Sequence, residues 1–322
     1  MRQKRFKVLG RDAYYHLVNR INGPRKRLLF TNKDKQVGIQ FVQKIAPLYS
    51  IEILSVCWMG NHLHLVVYVP PEPPSPIEAA RKYNEYYKNR IPDHRLLNPE
   101  QDLERCRKIA GNMIDISHFM KLVLQSYSIW FNKTHHREGP LWKDRFKSTV
   151  LEESDALWEC LKYVELNPVR AKITQNPGKY QFSSWGIYSS TGVHPFHSSF
   201  IRHIRSYGQK GTKELDVPDE SLLNLFKTDI EDTITRELGM ESKVSDTPYH
   251  STSKNQGIGI PGSFVQCLKQ VKLWSNGCAI GTARFVTEIA NQFQTPEQVR
   301  KKRKINWFLP SGFSLTCYHA GR

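Results

Sequence analysis

The sequence lacks the cysteine pairs and the long apolar segments that define several classes of protein. Its six cysteines are widely scattered and none forms a Cys-x-x-Cys pair, which argues against a zinc ribbon or a disulfide framework. No stretch reaches the roughly eighteen uninterrupted apolar residues of a membrane span, and no apolar core of an export signal follows the basic N-terminus. We therefore expect a cytoplasmic protein with no membrane partner.

The chain is also poor in acidic residues. It has 30 Asp and Glu against 47 Lys and Arg over 322 residues, a formal net charge of +17. Such an excess is typical of proteins that bind a polyanion, most often nucleic acid. The excess is larger in residues 1–190 than in residues 191–322, so the N-terminal part is predicted to carry the binding surface.

Strand and helix patterns alternate near the N-terminus. The β-rich segments Ala13–Ile21 and Ile51–Cys57 predict two strands, with a helix capped near Asn32 between them. A Gly-Asn turn leads into a third strand, Leu63–Val69. This order predicts an α+β fold: a ferredoxin-like antiparallel sheet with helices packed on one face.

The sequence predicts two domains, because its structural signal weakens after about residue 190. Residues 1–190 would form the first, interrupted at 70–112 by a proline-rich, charged insertion. Residues 191–322 would form a mostly helical C-terminal extension. Within it, a flexible linker rich in Ser, Thr, Lys and Gly is expected at about 241–260.

Two histidines at the start of the third predicted strand could bind one metal ion. Side chains alternate between the faces of a strand, so His62 and His64 share a face. Two imidazoles can hold a divalent cation and leave it open to a phosphate oxygen. The alternative is that they are ordinary polar residues at a strand end, which is the commoner meaning of an isolated His-x-His pair.

A tyrosine on a later helix could act with such a metal ion. Apolar residues between Ile116 and Phe131 follow one helical face, and Tyr127 lies on that face. If the helix packs on the sheet that carries the histidines, the phenol can approach the metal and its phenolate can attack a phosphodiester. The alternative is that Tyr127 is a core aromatic residue.

Several motifs in a fixed order resemble those of a known family. They are Tyr15–Arg20, Met59–Val66, Tyr127 with Trp130-Phe131-Asn132, Gly139–Trp142, Arg145–Ser148, Tyr163–Ala171 and Phe182–Trp185. Together they are similar to the motifs of the REP-associated tyrosine transposases, which belong to the HUH class of single-strand DNA transposases. The resemblance covers residues 10–190.

The resemblance implies a function and roles for the site residues. His62 and His64 would be ligands of Mg²⁺ or Mn²⁺. Tyr127 would be the nucleophile that cleaves and rejoins single-stranded DNA through a 5′-phosphotyrosine intermediate, whereas Tyr163 would match a structural position. The partner would be single-stranded DNA that forms hairpins, bound by a monomer or a homodimer.

The third metal ligand stays open. Related insertion-sequence enzymes take it from a Gln one turn after the tyrosine, where this chain has Phe131. Asn132, Gln125 or a water molecule could serve instead.

Basic residues of the N-terminal part are expected to contact the DNA. They are Arg20, Arg25, Lys26, Arg27, Arg137, Lys143, Arg145, Lys147 and Arg170. The segment 139–148 is predicted to be a strand that places three of these cations in one register along a phosphate backbone.

Two other functions compete with transposition. One is a domesticated protein that binds DNA hairpins and no longer cuts them. The other is an RNA-binding ferredoxin-like module, which would need aromatic residues exposed on the sheet. The presence of His62, His64 and Tyr127 together favours the enzyme, because a pure binder does not need all three.

We predict that Lys143, Arg145 and Lys147 contact phosphates and not bases. Replacing one of them with Ala should weaken binding to all single-stranded sequences alike, and should reduce the slope of log affinity against log salt by roughly one unit. The measurement is a salt titration of binding to hairpins of different sequence. Loss of preference for one hairpin at unchanged affinity would contradict it.

Overall fold

The computed structural model describes residues 5–23, 29–153, 155–208, 217–245, 274, 278–294, 299, 304–308 and 314–318. The strands are β1 Ala13–Arg20, β2 Glu52–Trp58, β3 His62–Val69, β4 Lys147–Leu151, β5 Ala279–Gly281, β6 Lys304–Phe308 and β7 Ser314–Tyr318. The helices are α1 Asn32–Ile45, α2 Pro76–Tyr87, α3 Leu103–Met113, α4 Ile116–Thr134, α5 Asp155–Glu165, α6 Asn167–Arg170, α7 Ser184–Thr191, α8 His197–Gly208, α9 Asp219–Ser245 and α10 Ala283–Phe293. None of the described helices is both long and apolar enough to cross a bilayer.

The described strands form one seven-stranded sheet in the order β2-β3-β1-β4-β5-β7-β6. β1 lies between β3 and β4 and is antiparallel to both, while β3 is antiparallel to β2. The N-terminal half of the sheet thus has the strand order of a ferredoxin-like fold, and the predicted α+β class is confirmed.

The sheet continues into the C-terminal extension. Strand β5 pairs in parallel with β4, and β7 and β6 follow it in antiparallel order. The extension therefore contains three strands as well as helices, whereas the sequence predicted a mostly helical extension. Of the expected linker, residues 241–245 belong to helix α9, and the remainder lies outside the described residues. The domain boundary at residue 190 stays a prediction.

Helices cover both faces of the sheet, and not one face as the sequence suggested. β2 and β3 are buried on both sides along nearly their whole length, as strands between two helical layers are. Tyr127 of α4 contacts Trp58 of β2 on one face. On the other face, Glu165 at the end of α5 accepts a hydrogen bond from Ser55 of β2.

Helix α1 lies unusually close to the sheet. Its N-cap is Thr31, whose side chain accepts a hydrogen bond from the backbone N–H of Asp34, while the Asp34 carboxylate accepts one from the backbone N–H of Thr31. Gly38 faces the Trp58 indole so closely that a Cβ atom there would be 2.5 Å from the ring. The missing side chain lets α1 rest directly on Trp58.

We predict that Gly38→Ala destabilises the fold by about 1–3 kcal/mol, because the added methyl group overlaps a buried indole ring. The matched control is Gly111→Ala on the exposed side of α3, where a Cβ atom would have no neighbour within 4 Å. Since Ala favours a helix over Gly, the control should gain about 0.5–1 kcal/mol. Urea unfolding measures the free energy of unfolding of both variants. Equal changes for the two substitutions would contradict the close packing of Gly38 on Trp58.

Candidate active site

The two histidines of β3 share one face of the sheet, as predicted. Across the strand pairs His64 lies opposite Val18 of β1 and Cys57 of β2, and His62 lies opposite Arg20. Their ring centroids are 4.9 Å apart. His64 is buried, and His62 is partly exposed at the end of the strand. The pair therefore forms the inner and outer positions of one potential metal site.

Both histidines are held in the neutral form. Burial lowers the pKa of His62 to about 4, assisted by the nearby positive charge of Arg20. Burial also places the pKa of His64 well below its usual value, and the neighbouring His62 and His16 act in the same direction. Neutral imidazoles are the form that binds a metal ion.

The ring nitrogens of His62 and His64 have defined roles. His62 Nδ1 lies 2.6 Å from Asn61 Oδ1, an acceptor, so Nδ1 carries the proton and Nε2 carries the lone pair. His64 Nδ1 lies 2.9 Å from Nε2 of His16 on β1. His64 Nε2 is buried and has no hydrogen-bond partner among the described residues.

An unpartnered buried nitrogen costs about 1–3 kcal/mol unless a ligand satisfies it. His64 Nε2 is therefore the atom of the described chain that fits a cation best, with His62 Nε2 beside it. The described residues contain no group of three or more His, Cys, Asp or Glu side chains arranged for a metal ion. Within the described part of the chain, a third ligand of a cation at the two histidines would be a different oxygen or nitrogen donor.

The prediction that α4 turns Tyr127 toward the histidines is wrong. The ring centroid of Tyr127 is 4.7 Å from that of Trp58. Trp58 pairs across the strands with Leu63. Leu63 points away from the face of its neighbours His62 and His64, so Tyr127 lies on the opposite side of the sheet. Its hydroxyl donates to the backbone oxygen of Asp34 (3.2 Å), and burial raises its pKa.

The position of α4 also excludes Asn132 and Gln125, the two side chains considered as the third metal ligand. The side-chain nitrogen of Asn132 donates to the backbone oxygen of Gly139 (2.9 Å), and its oxygen accepts a hydrogen bond from Arg137 (3.4 Å). Gln125 is exposed on α4. Because α4 covers the other face of the sheet, neither side chain reaches the histidines.

A different tyrosine lies beside the histidines. Tyr163 of α5 has its ring centroid 5.7 Å from that of His16 and 5.8 Å from that of His64, edge to face in both cases. The guanidinium carbon of Arg170 lies 5.4 Å from the centre of the Tyr163 ring. The Trp274 indole of the C-terminal extension stacks on the same ring at 5.7 Å. The site thus combines two histidines and a tyrosine, with Tyr163 in the place expected for Tyr127.

The sequence held a signal for Tyr163. Asn167 follows it by four residues, and an amide side chain one turn after the tyrosine is the arrangement that the chain lacks after Tyr127. The Asn167 side-chain nitrogen donates to the backbone oxygen of Tyr163 (2.9 Å), which orients the amide group next to the tyrosine.

Those of the predicted basic residues that the structure describes divide into three groups. Arg20 and Lys147 belong to β1 and β4 on the histidine face, because Lys147 pairs with Val18, and Arg170 lies over Tyr163. Lys143 and Arg145 are exposed in the bend before β4, which begins only at Lys147, so the strand predicted over 139–148 is shorter than expected. Arg137 binds Asn132 on the opposite side of the sheet. Arg25, Lys26 and Arg27 lie outside the described residues.

A known protein family matches the N-terminal part of the chain. Residues 11–97 match the family described as "Transposase IS200 like". This range includes β1, β2 and the histidine strand. The resemblance to transposases that the motifs indicated is therefore confirmed over residues 11–97.

A solved structure described as a REP-associated tyrosine transposase bound to a REP hairpin is also similar to this chain. The two share 13% sequence identity with a TM-score of 0.40, and the match covers 61% of this chain and 89% of that one. No match is found among curated proteins.

Glu165, two residues after Tyr163, is a buried carboxyl group on the same sheet face. It accepts hydrogen bonds from the Ser55 hydroxyl (2.7 Å) and from the backbone N–H of Trp185 (2.9 Å), neither of which carries a positive charge. Burial raises its pKa to about 7, against an ordinary value of 4.5. The folded protein therefore keeps this carboxyl protonated at pH values where the unfolded chain releases the proton.

We predict that Glu165 makes stability fall as the pH rises from about 4.5 to about 7. Below this window the carboxyl is protonated in both states, and above it the penalty is constant, with a total of up to about 3 kcal/mol. Glu165→Gln should therefore gain stability relative to the parent protein across the window. Thermal unfolding from pH 4 to pH 8 measures this, with Glu85→Gln at an exposed position as control. A stability difference between Glu165→Gln and the parent protein that does not change with pH would contradict the prediction.

Proposed function

We propose that this chain is a metal-dependent tyrosine transposase that binds DNA hairpins and cleaves and rejoins single-stranded DNA. His62 and His64 are the metal ligands, and Tyr163 replaces Tyr127 as the nucleophile. The observation that carries the proposal is the packing of the Tyr163 ring against His64, whose Nε2 atom has no described partner. The family match over residues 11–97 supports transposase activity in general.

The residues present fit a divalent cation. Two neutral imidazoles and the side-chain oxygen of Asn167 are the donors that we assign to it, and Mg²⁺ or Mn²⁺ would complete its shell with water and phosphate oxygens. A bound cation would supply positive charge to a non-bridging oxygen of the scissile phosphate. Asn167 takes the place of Asn132 and Gln125 because it lies one turn after the tyrosine on the histidine side of the sheet.

The chemical step follows from a tyrosine nucleophile. The Tyr163 hydroxyl gives up its proton and its oxygen attacks phosphorus, so that an O–P bond forms while the bond from phosphorus to the 3′ oxygen breaks. The 3′ oxygen takes up a proton and leaves as a hydroxyl group. The product is a 5′-phosphotyrosine that keeps a phosphodiester bond, so the reverse attack by a 3′-hydroxyl rejoins DNA without ATP.

The charged rim of the site supports a DNA partner. Arg20, Lys147 and Arg170 belong to the same side of the sheet as the histidines, and cations at such positions bind the phosphates of a DNA strand. The proposal also includes a preference for DNA that forms hairpins. It includes a monomer or a homodimer as the active form, and a cytoplasmic location.

One observation favours the alternative, a hairpin-binding protein that does not cut. Tyr163 is only 3% exposed, and the 3% exposed Trp274 stacks on its ring. In this arrangement a DNA strand cannot reach the phenol. Cleavage requires that Trp274 or the DNA-binding segments move, whereas a pure binder needs no such movement.

We predict that Tyr163→Phe abolishes the covalent adduct between protein and DNA, whereas Tyr127→Phe leaves it intact. Both variants lose one buried hydroxyl, so they are matched in size and chemistry. The assay incubates each protein with labelled single-stranded hairpins from its own flanking DNA and Mn²⁺, followed by denaturing electrophoresis and mass spectrometry of the labelled peptide.

The two functions give different outcomes in this assay. An adduct on Tyr163 supports the transposase, and an adduct on Tyr127 or on another residue shows that the assignment is wrong. If the parent protein binds the hairpin but forms no adduct with Mn²⁺ or with Mg²⁺, the non-cleaving protein is favoured.

A further inference from the structure

His16 is a buried histidine beside the proposed metal ligands to which no role has been assigned. It lies on β1, and both of its ring nitrogens have partners. Nδ1 lies 3.0 Å from the backbone oxygen of Trp274, and Nε2 lies 2.9 Å from Nδ1 of His64. The residue thus connects a backbone carbonyl of the C-terminal extension to a ligand of the proposed cation.

The position of each proton in this chain of bonds follows from the carbonyl group. A carbonyl oxygen only accepts, so His16 Nδ1 must donate to Trp274. A neutral imidazole then has only a lone pair at Nε2, and His64 Nδ1 must donate to it. The remaining nitrogen of His64, Nε2, is left with its lone pair, and this is the buried atom without a described partner.

We propose that His16 is a positioning residue that fixes His64 in the tautomer whose Nε2 lone pair is available to the cation. The inference deepens the proposed function and rests on it for the identity of the ligand. Nothing about the tautomer itself depends on a metal being bound, so it can be tested in the metal-free protein.

The orientation of the ring is fixed as well as its proton. The His16 and His64 rings are nearly parallel, with an interplanar angle of 6° and centroids 5.1 Å apart. The Tyr163 ring meets both edge to face. Thr149 of β4 donates to the same carbonyl of Trp274 (3.3 Å) and helps to hold it in place. His16 therefore restricts both rotation and tautomer exchange of His64, and loss of such outer partners typically reduces metal affinity 10- to 100-fold.

The first test is the ring nitrogen spectrum of the metal-free, full-length protein labelled with ¹⁵N histidine. We expect His64 to show a protonated Nδ1 and an unprotonated Nε2, as we do for His16. A proton on His64 Nε2 would overturn the proposal whether or not the protein cuts DNA.

The second test compares the Mn²⁺ affinity of variants without DNA. His16→Leu removes the acceptor and should weaken Mn²⁺ binding at least tenfold, with loss of the single His64 tautomer in the spectrum. His16→Gln keeps a hydrogen-bond acceptor and a donor, and its Mn²⁺ affinity should be within about threefold of that of the parent protein. The control is His194→Leu, which removes another buried imidazole, one that stacks on Phe200, and should leave Mn²⁺ affinity unchanged.

The outcomes separate this inference from the proposed function. His16→Leu with parental Mn²⁺ affinity would refute the positioning role. If His16→Leu does not fold, the positioning role is tested by the ring nitrogen spectrum of the parent protein and by the Mn²⁺ affinity of His16→Gln. A parent protein that shows the expected tautomers but binds no Mn²⁺ and forms no adduct would refute the transposase mechanism, and with it any role of His16 toward a metal.

Discussion

The alternation of side chains along β3 is the constraint on which the candidate site depends. Leu63 and its cross-strand partner Trp58 face the aromatic cluster that holds Tyr127. His62 and His64 face the other way, toward helix α5. A side-chain period of two allows no intermediate choice, so only a helix on the α5 side can bring a tyrosine to the histidines.

Burial differs between the two ends of the histidine site, which bears on the protonation of the imidazoles and on the proposed entry of DNA. His64 is 2% exposed, while His62 at the start of β3 is partly open to solvent. Arg20 lies opposite His62 across the strand pair. In the proposed function a phosphate group approaches at the His62 end, on the side of Arg20, while the inner end stays dry. The dry end keeps the imidazoles neutral, and the open end is where the proposed substrate would enter.

Much of this fold could be predicted from the sequence, but helical periodicity alone could not identify the tyrosine beside the histidines. Strand alternation and turn residues located the three N-terminal strands β1, β2 and β3 within a residue or two. The two helices that carry Tyr127 and Tyr163 both have apolar faces, and periodicity does not reveal which side of a sheet a helix covers. Strand β5 has only three residues, too few for a pattern. Asn167, one turn after Tyr163, was the available signal.

The contact between His16 and Trp274 bears on where the functional unit ends. These residues are 258 positions apart in the chain, so the domain boundary predicted at residue 190 separates them. A fragment of residues 1–190 would keep His62, His64 and Tyr163 but lose the carbonyl that requires a proton on His16 Nδ1. Either His16 nitrogen could then carry the proton, and His64 would no longer be confined to one tautomer. The C-terminal extension is thus part of the site, because a backbone oxygen within it determines which lone pair His64 presents.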